Sequence, residues 1–428
     1  MISHTNRKII EEQYTGDQKS ENLFFLLDNI VVSNDLTPII SSSIERIFGQ
    51  SKPSYSIICD SETYKVLGQT IEHELNNFQY KTLILPSNVA ATESYIDKII
   101  EFSSPYDILI AVGSGTINDL CKYASYKQKK DYIVFGTAPS MNGYCSSNAS
   151  ITINGNKTTL KAHLPKAVFF DTKILSEAPQ RLIASGIGDS ICRSTCQVDW
   201  LFSHLIADTY YNESAFKLLE DSEFNLLKET DNKLNNKEII NNLIENLVLS
   251  GIGMHISGGS YPASQSEHMI AHYIDMFSKG NTPRTFHGEE IAVTTLHISE
   301  MQKNLLSKEK IKIQYFNYNI KDFVDKFGEE KGEYFFSEYR NKFPDKNYVD
   351  EINNRLVKNW KNIRTKLQSK CIETTRLKKA LKYIKSPTSY QELYWDKEMF
   401  NEAISNSAMT RSRITFLDIY QKHPLKIG

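Results

Sequence analysis

From about residue 55, short unbroken apolar runs alternate with segments whose apolar residues recur every three or four positions. The runs are Tyr55-Ser-Ile-Ile-Cys59, Lys81-Thr-Leu-Ile-Leu85, Asp107-Ile-Leu-Ile-Ala-Val112, Tyr132-Ile-Val-Phe135 and Ala167-Val-Phe-Phe170. Runs this short and continuous predict strands covered on both faces, as in a parallel sheet. Between two of them, Ile117, Leu120, Cys121 and Ala124 share one helix face, so the repeating unit is strand then helix. After Asp171 long helical patterns continue to the carboxyl end without comparable strand runs. The expected architecture is an α/β nucleotide-binding domain over residues 1–180 followed by an all-α domain over residues 181–428. Two stretches interrupt the second half. Residues 228–242, rich in Asn, Lys and Asp, read as a solvated loop or helix tip, and residues 253–261, rich in Gly and Ser, as a functional turn.

Composition narrows the business of such a chain. Its 428 residues are enough for two domains and a core that needs no disulfide or structural metal. Lys+Arg 50 against Asp+Glu 51 leaves no general attraction to nucleic acid or an anionic membrane, which points to small-molecule chemistry. The alternating charges of residues 303–384 read as surface helices for the same reason. The polar amino terminus lacks a signal core, and no stretch approaches the roughly 20 apolar residues that span a bilayer, so a cytoplasmic protein is expected. Cys192 and Cys196 share a helix face and read as buried packing.

Candidate chemistry clusters after the strand runs. Gly113-Ser-Gly-Thr-Ile-Asn-Asp119 follows one run and opens a helical pattern, so its backbone can approach a diphosphate while the helix start supplies free amides. The spacing departs from the dinucleotide fingerprint, and an ordinary tight turn is the competing reading. Gly136-Thr-Ala-Pro-Ser-Met-Asn-Gly-Tyr144 follows the next run and brings Thr137, Ser140 and Asn142 to the same edge. Asp60 closes the first run, where a carboxylate accepts ribose hydroxyls or caps a helix. Downstream, Asp189 in Gly-Ile-Gly-Asp-Ser, His268 and His272 one helical turn apart, and His287 in Phe-His-Gly-Glu-Glu are metal-binding residue types. One carboxylate and two imidazoles leave an open position able to polarise a substrate oxygen. By themselves these residues leave other readings open: Asp189 as a cap, His268 with His272 as a chelating pair, His287 as structural.

Taken in order, these segments, with Ala167-Val-Phe-Phe-Asp171, Val198-Asp-Trp200 and Arg411-Ser-Arg-Ile-Thr-Phe-Leu-Asp418, resemble the sn-glycerol-1-phosphate dehydrogenase family. That family lies within the iron-dependent alcohol dehydrogenase and dehydroquinate synthase superfamily. The resemblance implies a two-domain, dehydroquinate synthase-like enzyme that interconverts dihydroxyacetone phosphate and sn-glycerol 1-phosphate. It implies NAD or NADP held by Asp60, Gly113, Ser114, Gly115, Asn118, Asp119, Thr137 and Ser140, with Asp60 leaning towards NAD. It implies a divalent metal, zinc, nickel or iron, on Asp189, His268 and His287, with His272 orienting substrate or relaying a proton. Asn142 departs from the usual Asp of that motif, which keeps the size, loses the charge and bears on the substrate. Lys161, His163 and Lys166 are the expected partners of the substrate phosphate. A homo-oligomer is also implied. A sugar-phosphate cyclase of the dehydroquinate synthase type is the rival, and the motifs at residues 136–144 and 411–418 match the dehydrogenases better.

Overall fold

The computed structural model describes residues 2–14, 18–49, 53–153, 156–232, 236–278 and 285–420. The chain forms two compact units, each discontinuous in sequence: Met1–Ser190 with Lys217–Gly259, and Ile191–Phe216 with Ser260–Gly428.

In the first unit the strands are β1 (Ile30–Ser33), β2 (Tyr55–Asp60), β3 (Tyr80–Leu85), β4 (Ile108–Gly113), β5 (Asp131–Gly136), β6 (Asn148–Ile153), β7 (Asn156–Lys161) and β8 (Ala167–Asp171). Six of them make one parallel sheet in the order β1-β8-β5-β4-β2-β3. Each of the five apolar runs is a strand of this sheet. β4 is buried along its whole length because helices cover both faces, and this burial is why its sequence shows no polar alternation. On one face Phe135 and Phe169 stack with ring centroids 4.4 Å apart beside Ile57, Ile110 and Val112. Burying side chains of this size stabilises the sheet by roughly 1.5–3 kcal/mol each.

The periodicity misses two features. β1 is four residues of intermediate burial pairing with β8 at the sheet edge, too short to register as a run. β6 and β7 form a separate antiparallel hairpin, whose polar Asn148-to-Lys161 composition hides it from an apolar search. Residues 228–242 fall mostly in the helices Glu220–Asn232 and Asn236–Ile256. Residues 233–235 lie outside the described residues.

The second unit is helical among the described residues. Its core is aromatic: Phe202 packs on Phe416 with centroids 4.6 Å apart, and Phe323, Phe327, Phe335 and Tyr339 join the same cluster. A matched ion pair is buried in this core, where Lys342 donates to Asp418 at 2.7 Å with both side chains essentially inaccessible. Cys192 and Cys196 pack with Ala271 and Ile291, as expected of small buried hydrophobes. Among the described residues no helix is long and apolar enough to cross a membrane.

Candidate active site

Within the first unit, strand order locates the ligand edge. The helix after β2 leads to β3 on one side, while the helix after β4 leads to β5 on the other, so a crevice opens at the carboxyl ends between β2 and β4. Asp60, Gly113 and Gly136 end three adjacent strands there, with Gly113 in register with Gly136 and the Thr137 amide donating to the Gly113 carbonyl at 3.2 Å.

Gly113 has no room for a side chain, because an added Cβ would lie 2.6 Å from the Ile117 Cβ. Ser114 is the N-cap of the Gly115–Gln128 helix, and its side chain makes no capping hydrogen bond, so the first amides of that helix face the edge. Asn118 is fully buried and its Oδ1 has no hydrogen bond among the described residues. A bare glycine turn, an uncapped helix start and an orphaned amide oxygen fit a diphosphate-bearing nucleotide.

The remaining nucleotide candidates are engaged locally. Asp60 Oδ1 accepts the Glu62 and Thr63 amides at 2.9 Å in a capping box. Asp119 accepts the Ser150 amide at 3.0 Å; burial raises its pKa, and nearby Lys122 works in the opposite direction.

The loop after β5 is built tightly. Lys122, completely buried, donates to the carbonyls of Gly143 at 2.6 Å and Asn148 at 3.0 Å, tying the nucleotide-edge helix to this loop. Gly186 lies so close to it that a Cβ there would stand 1.8 Å from the Pro139 carbonyl oxygen. The Asn142 amide donates to Asp189 Oδ2 at 2.9 Å, and Asp189 is buried in the Gln180–Ile191 helix instead of capping one. Thr137 and Ser140 are buried in the same loop.

Of the three lysine and histidine candidates for phosphate, Lys161 ends β7 of the hairpin and His163 and Lys166 follow it. Lys161 is exposed. Lys166 is 3.8 Å from Asp131. His163 bonds Ser125 Oγ at 2.8 Å and stacks on Tyr132 at 5.4 Å; burial, with Lys122 and Lys166, pushes its pKa down to about 4.

Within the second unit, the Ser266–Phe277 helix carries His268 and His272, and His287 is the first residue of the His287–Leu306 helix. Their rings converge: centroids are 5.1 Å apart for His268 and His287, 5.8 Å for His268 and His272, and 5.7 Å for His272 and His287.

Hydrogen bonds set the two tautomers oppositely. Glu267, fully buried, takes His268 Nδ1 at 2.9 Å, the Gln265 amide at 2.8 Å, and Cys196 Sγ and Thr195 Oγ1 at 3.0 Å. Burial raises its pKa, but His268, Cys196 and the Gln265 amide outweigh that and hold it at about 2. An ionised carboxylate only accepts, so the His268 proton is on Nδ1 and Nε2 keeps a lone pair. His272 Nδ1 lies 3.0 Å from Arg411 Nη2, and a guanidinium only donates, so the His272 proton is on Nε2.

Nitrogen and carboxylate donors of this type fit a borderline divalent ion, and a buried carboxylate behind the ligating imidazole is the usual support for one. Cys192, Glu267 and His268 also offer ligand atoms within 4.8 Å of one another. With four donors already on Glu267, that group supports His268 instead of forming a rival site. Asp199 ties the neighbourhood together by accepting the Ser266 amide at 3.2 Å and the Phe416 amide at 3.0 Å. Burial, then Glu267, pushes its pKa up to about 7.

Sequence reasoning passed over Glu267, Lys122, Arg411 and Arg413 as functional residues. The only signals were adjacency to His268 for Glu267 and membership of the carboxyl-terminal motif for the arginines.

A profile of the family described as iron-containing alcohol dehydrogenase matches residues 40–179. The Bacillus subtilis (strain 168) protein named glycerol-1-phosphate dehydrogenase, NAD(P)+, is 33% identical over 258 residues, covering 58% of this chain and 66% of its own length. A protein of the same name from Thermococcus sibiricus (strain DSM 12597 / MM 739) is 33% identical over 280 residues, covering 64% of this chain and 77% of its own. The crystal structure of NADH-dependent butanol dehydrogenase A from Thermotoga maritima shares the fold, with TM-score 0.55, 13% identity and 90% of each chain covered.

Proposed function

Because this chain belongs to the glycerol-1-phosphate dehydrogenase family, among the iron-containing alcohol dehydrogenases, we propose that it is a metal-dependent NAD(P) oxidoreductase. The substrate pair in this reading is dihydroxyacetone phosphate and sn-glycerol 1-phosphate. Residues 1–180 bind the nucleotide and residues 181–428 supply most of the metal and substrate contacts. A cytoplasmic homo-oligomer belongs to the same proposal.

The observation that carries the reading is the convergence of His268 and His287 at 5.1 Å with Glu267 locked behind His268. Asp189, His268 and His287 would hold the ion. Asp189 stands three residues before Cys192 in the chain, and the Cys192 thiol is within 4.8 Å of the His268 and Glu267 ligand atoms. When bound, a divalent ion supplies Lewis acidity towards a carbonyl oxygen and a nicotinamide supplies the hydride.

The chain's own residues do the rest. Glu267 holds the His268 proton on Nδ1, so that Nε2 carries the lone pair, and the Asn142 amide donates to Asp189. His272, held by Arg411 with its proton on Nε2, presents a hydrogen-bond donor to substrate oxygen. Gly113, Ser114 and the start of the Gly115–Gln128 helix bind the diphosphate, and buried Asn118 offers an oxygen to the cofactor.

The test is the loss of reduced-nicotinamide absorbance when metal-loaded protein meets dihydroxyacetone phosphate with NADH or NADPH. Chelation should abolish turnover, and zinc, nickel or iron should restore it. Release of phosphate without net consumption of reduced nicotinamide would instead assign a sugar-phosphate cyclase.

A further inference from the structure

We infer that Arg411 and Arg413 form the binding site for a dianionic phosphate monoester, the phosphate end of the substrate, an inference that rests on the phosphorylated-ketone reading above. Arg411 has extended backbone at φ −147 and ψ 150, so residues 411 and 413 project to one side while Ser412 turns outward. The Ser412 amide donates to Glu338 at 2.8 Å, and no hydrogen bond joins Glu338 to either guanidinium group.

The two guanidinium groups converge on one residue. Arg411 Nη1 donates to Ser264 Oγ at 2.9 Å and Nη2 to His272 Nδ1 at 3.0 Å. Arg413 Nη1 donates to the Ser264 carbonyl and Nη2 to Ser260 Oγ at 3.2 Å, and its guanidinium lies 4.2 Å over the Tyr261 ring. Every one of these partners is neutral. A guanidinium has five N–H donors, so each arginine keeps donors beyond these bonds.

Glu267 and Glu338 act on Arg411, and Glu267 on Arg413, only through space: among the described residues no carboxylate hydrogen-bonds to either half-buried guanidinium, so two like charges lie together without a direct counter-ion. Burial lowers the pKa of both, and the Arg411 charge helps push Arg413 down to about 10. The contrast with Lys342, matched by Asp418 in the same unit, is direct. A phosphate dianion supplies the missing charge and matches the planar forks. Arg411 touches His272, so a phosphate held here sits one imidazole away from His268 and His287. Lys161, His163 and Lys166 offer less: Lys161 is exposed, His163 is driven neutral, and Lys166 already faces Asp131.

The test uses full-length, metal-loaded protein, the variants Arg411→Met, Arg413→Met and Arg413→Lys, and Arg355→Met as a surface control. Calorimetric titration with inorganic phosphate should show binding to the parent and a loss of roughly 10- to 150-fold in each methionine variant, the range for hydrogen bonds to charged groups. Arg413→Lys should recover part of it, because it restores charge without the fork. In kinetics, the preference in kcat/KM for dihydroxyacetone phosphate over dihydroxyacetone should fall by a similar factor. Unchanged phosphate affinity in folded Arg411→Met and Arg413→Met overturns the inference. So does loss only in a Lys161→Ala, Lys166→Ala double variant, or a change confined to NADPH against NADH preference. Phosphate binding lost with the arginines in a protein that never oxidises NADH would leave this site standing and remove the redox reading, so the two fail separately.

Discussion

Glu267 illustrates how a single side chain directs chemistry it does not perform. Four donors saturate its carboxylate, and the consequence is a fixed proton on His268 Nδ1 with Nε2 directed elsewhere. Arg411 imposes the opposite tautomer on His272, so of two histidines one helical turn apart one carries its proton on Nδ1 and the other on Nε2. His163 shows the reverse, a histidine whose surroundings remove function. Its folded pKa of about 4 lies below the ordinary 6.5, so the unfolded chain binds more protons between these values. Stability from this residue is therefore full above pH 6.5 and is lost as pH falls towards 4. The loss is up to about 3 kcal/mol, taking 1.36 kcal/mol per pKa unit, and smaller to the extent that solvent reaches the ring. Denaturant midpoints measured from pH 7 to 4 should fall less steeply in His163→Asn than in the parent, and parallel curves would show that His163 is not the group responsible.

At the scale of elements, the loop after β5 is positioned by backbone proximity and one buried cation. Gly186 lets the Gln180–Ile191 helix pass against Pro139, and Lys122 draws Gly143 and Asn148 towards the Gly115–Gln128 helix. Gly186→Ala places a methyl 1.8 Å from a carbonyl that cannot rotate away, so helix or loop must shift. The expected loss is about 1–3 kcal/mol of stability, the usual range for overpacking, together with a raised KM for the nicotinamide. Thermal denaturation and nicotinamide titration check both. An alanine variant with parental melting temperature and KM would show that the close approach has no consequence.

At the scale of the molecule, two units with separate cores predict unfolding that is not all-or-none. All three tryptophans, Trp200, Trp360 and Trp395, belong to the second unit. Tryptophan fluorescence should therefore follow the aromatic helical core alone, while far-ultraviolet circular dichroism follows both units. The two denaturant curves should not superimpose. Coincident transitions at several denaturants would establish that the units unfold as one.

The sequence by itself determined the local chemistry of the fold. Five apolar runs became five parallel strands; in β2, β4, β5 and β8 burial on both faces leaves no polar alternation to write, whereas β3, at the sheet edge, is only partly buried. The glycine turn after β4 and the histidines were legible only as candidates, because an ordinary tight turn and structural histidines show the same residue types and spacing. β1 and the β6–β7 hairpin were not legible, since a four-residue edge strand and a polar ribbon depend on their partners for stability. Only tertiary structure decided which proton sits on which histidine, because Thr195 and Cys196 reach Glu267, and Arg411 reaches His272, from distant segments of the chain. The same holds for Arg411 and Arg413: a chain can show two arginines, but whether a carboxylate answers them depends on which distant segment folds against them, and here it is Ser260, Tyr261 and Ser264.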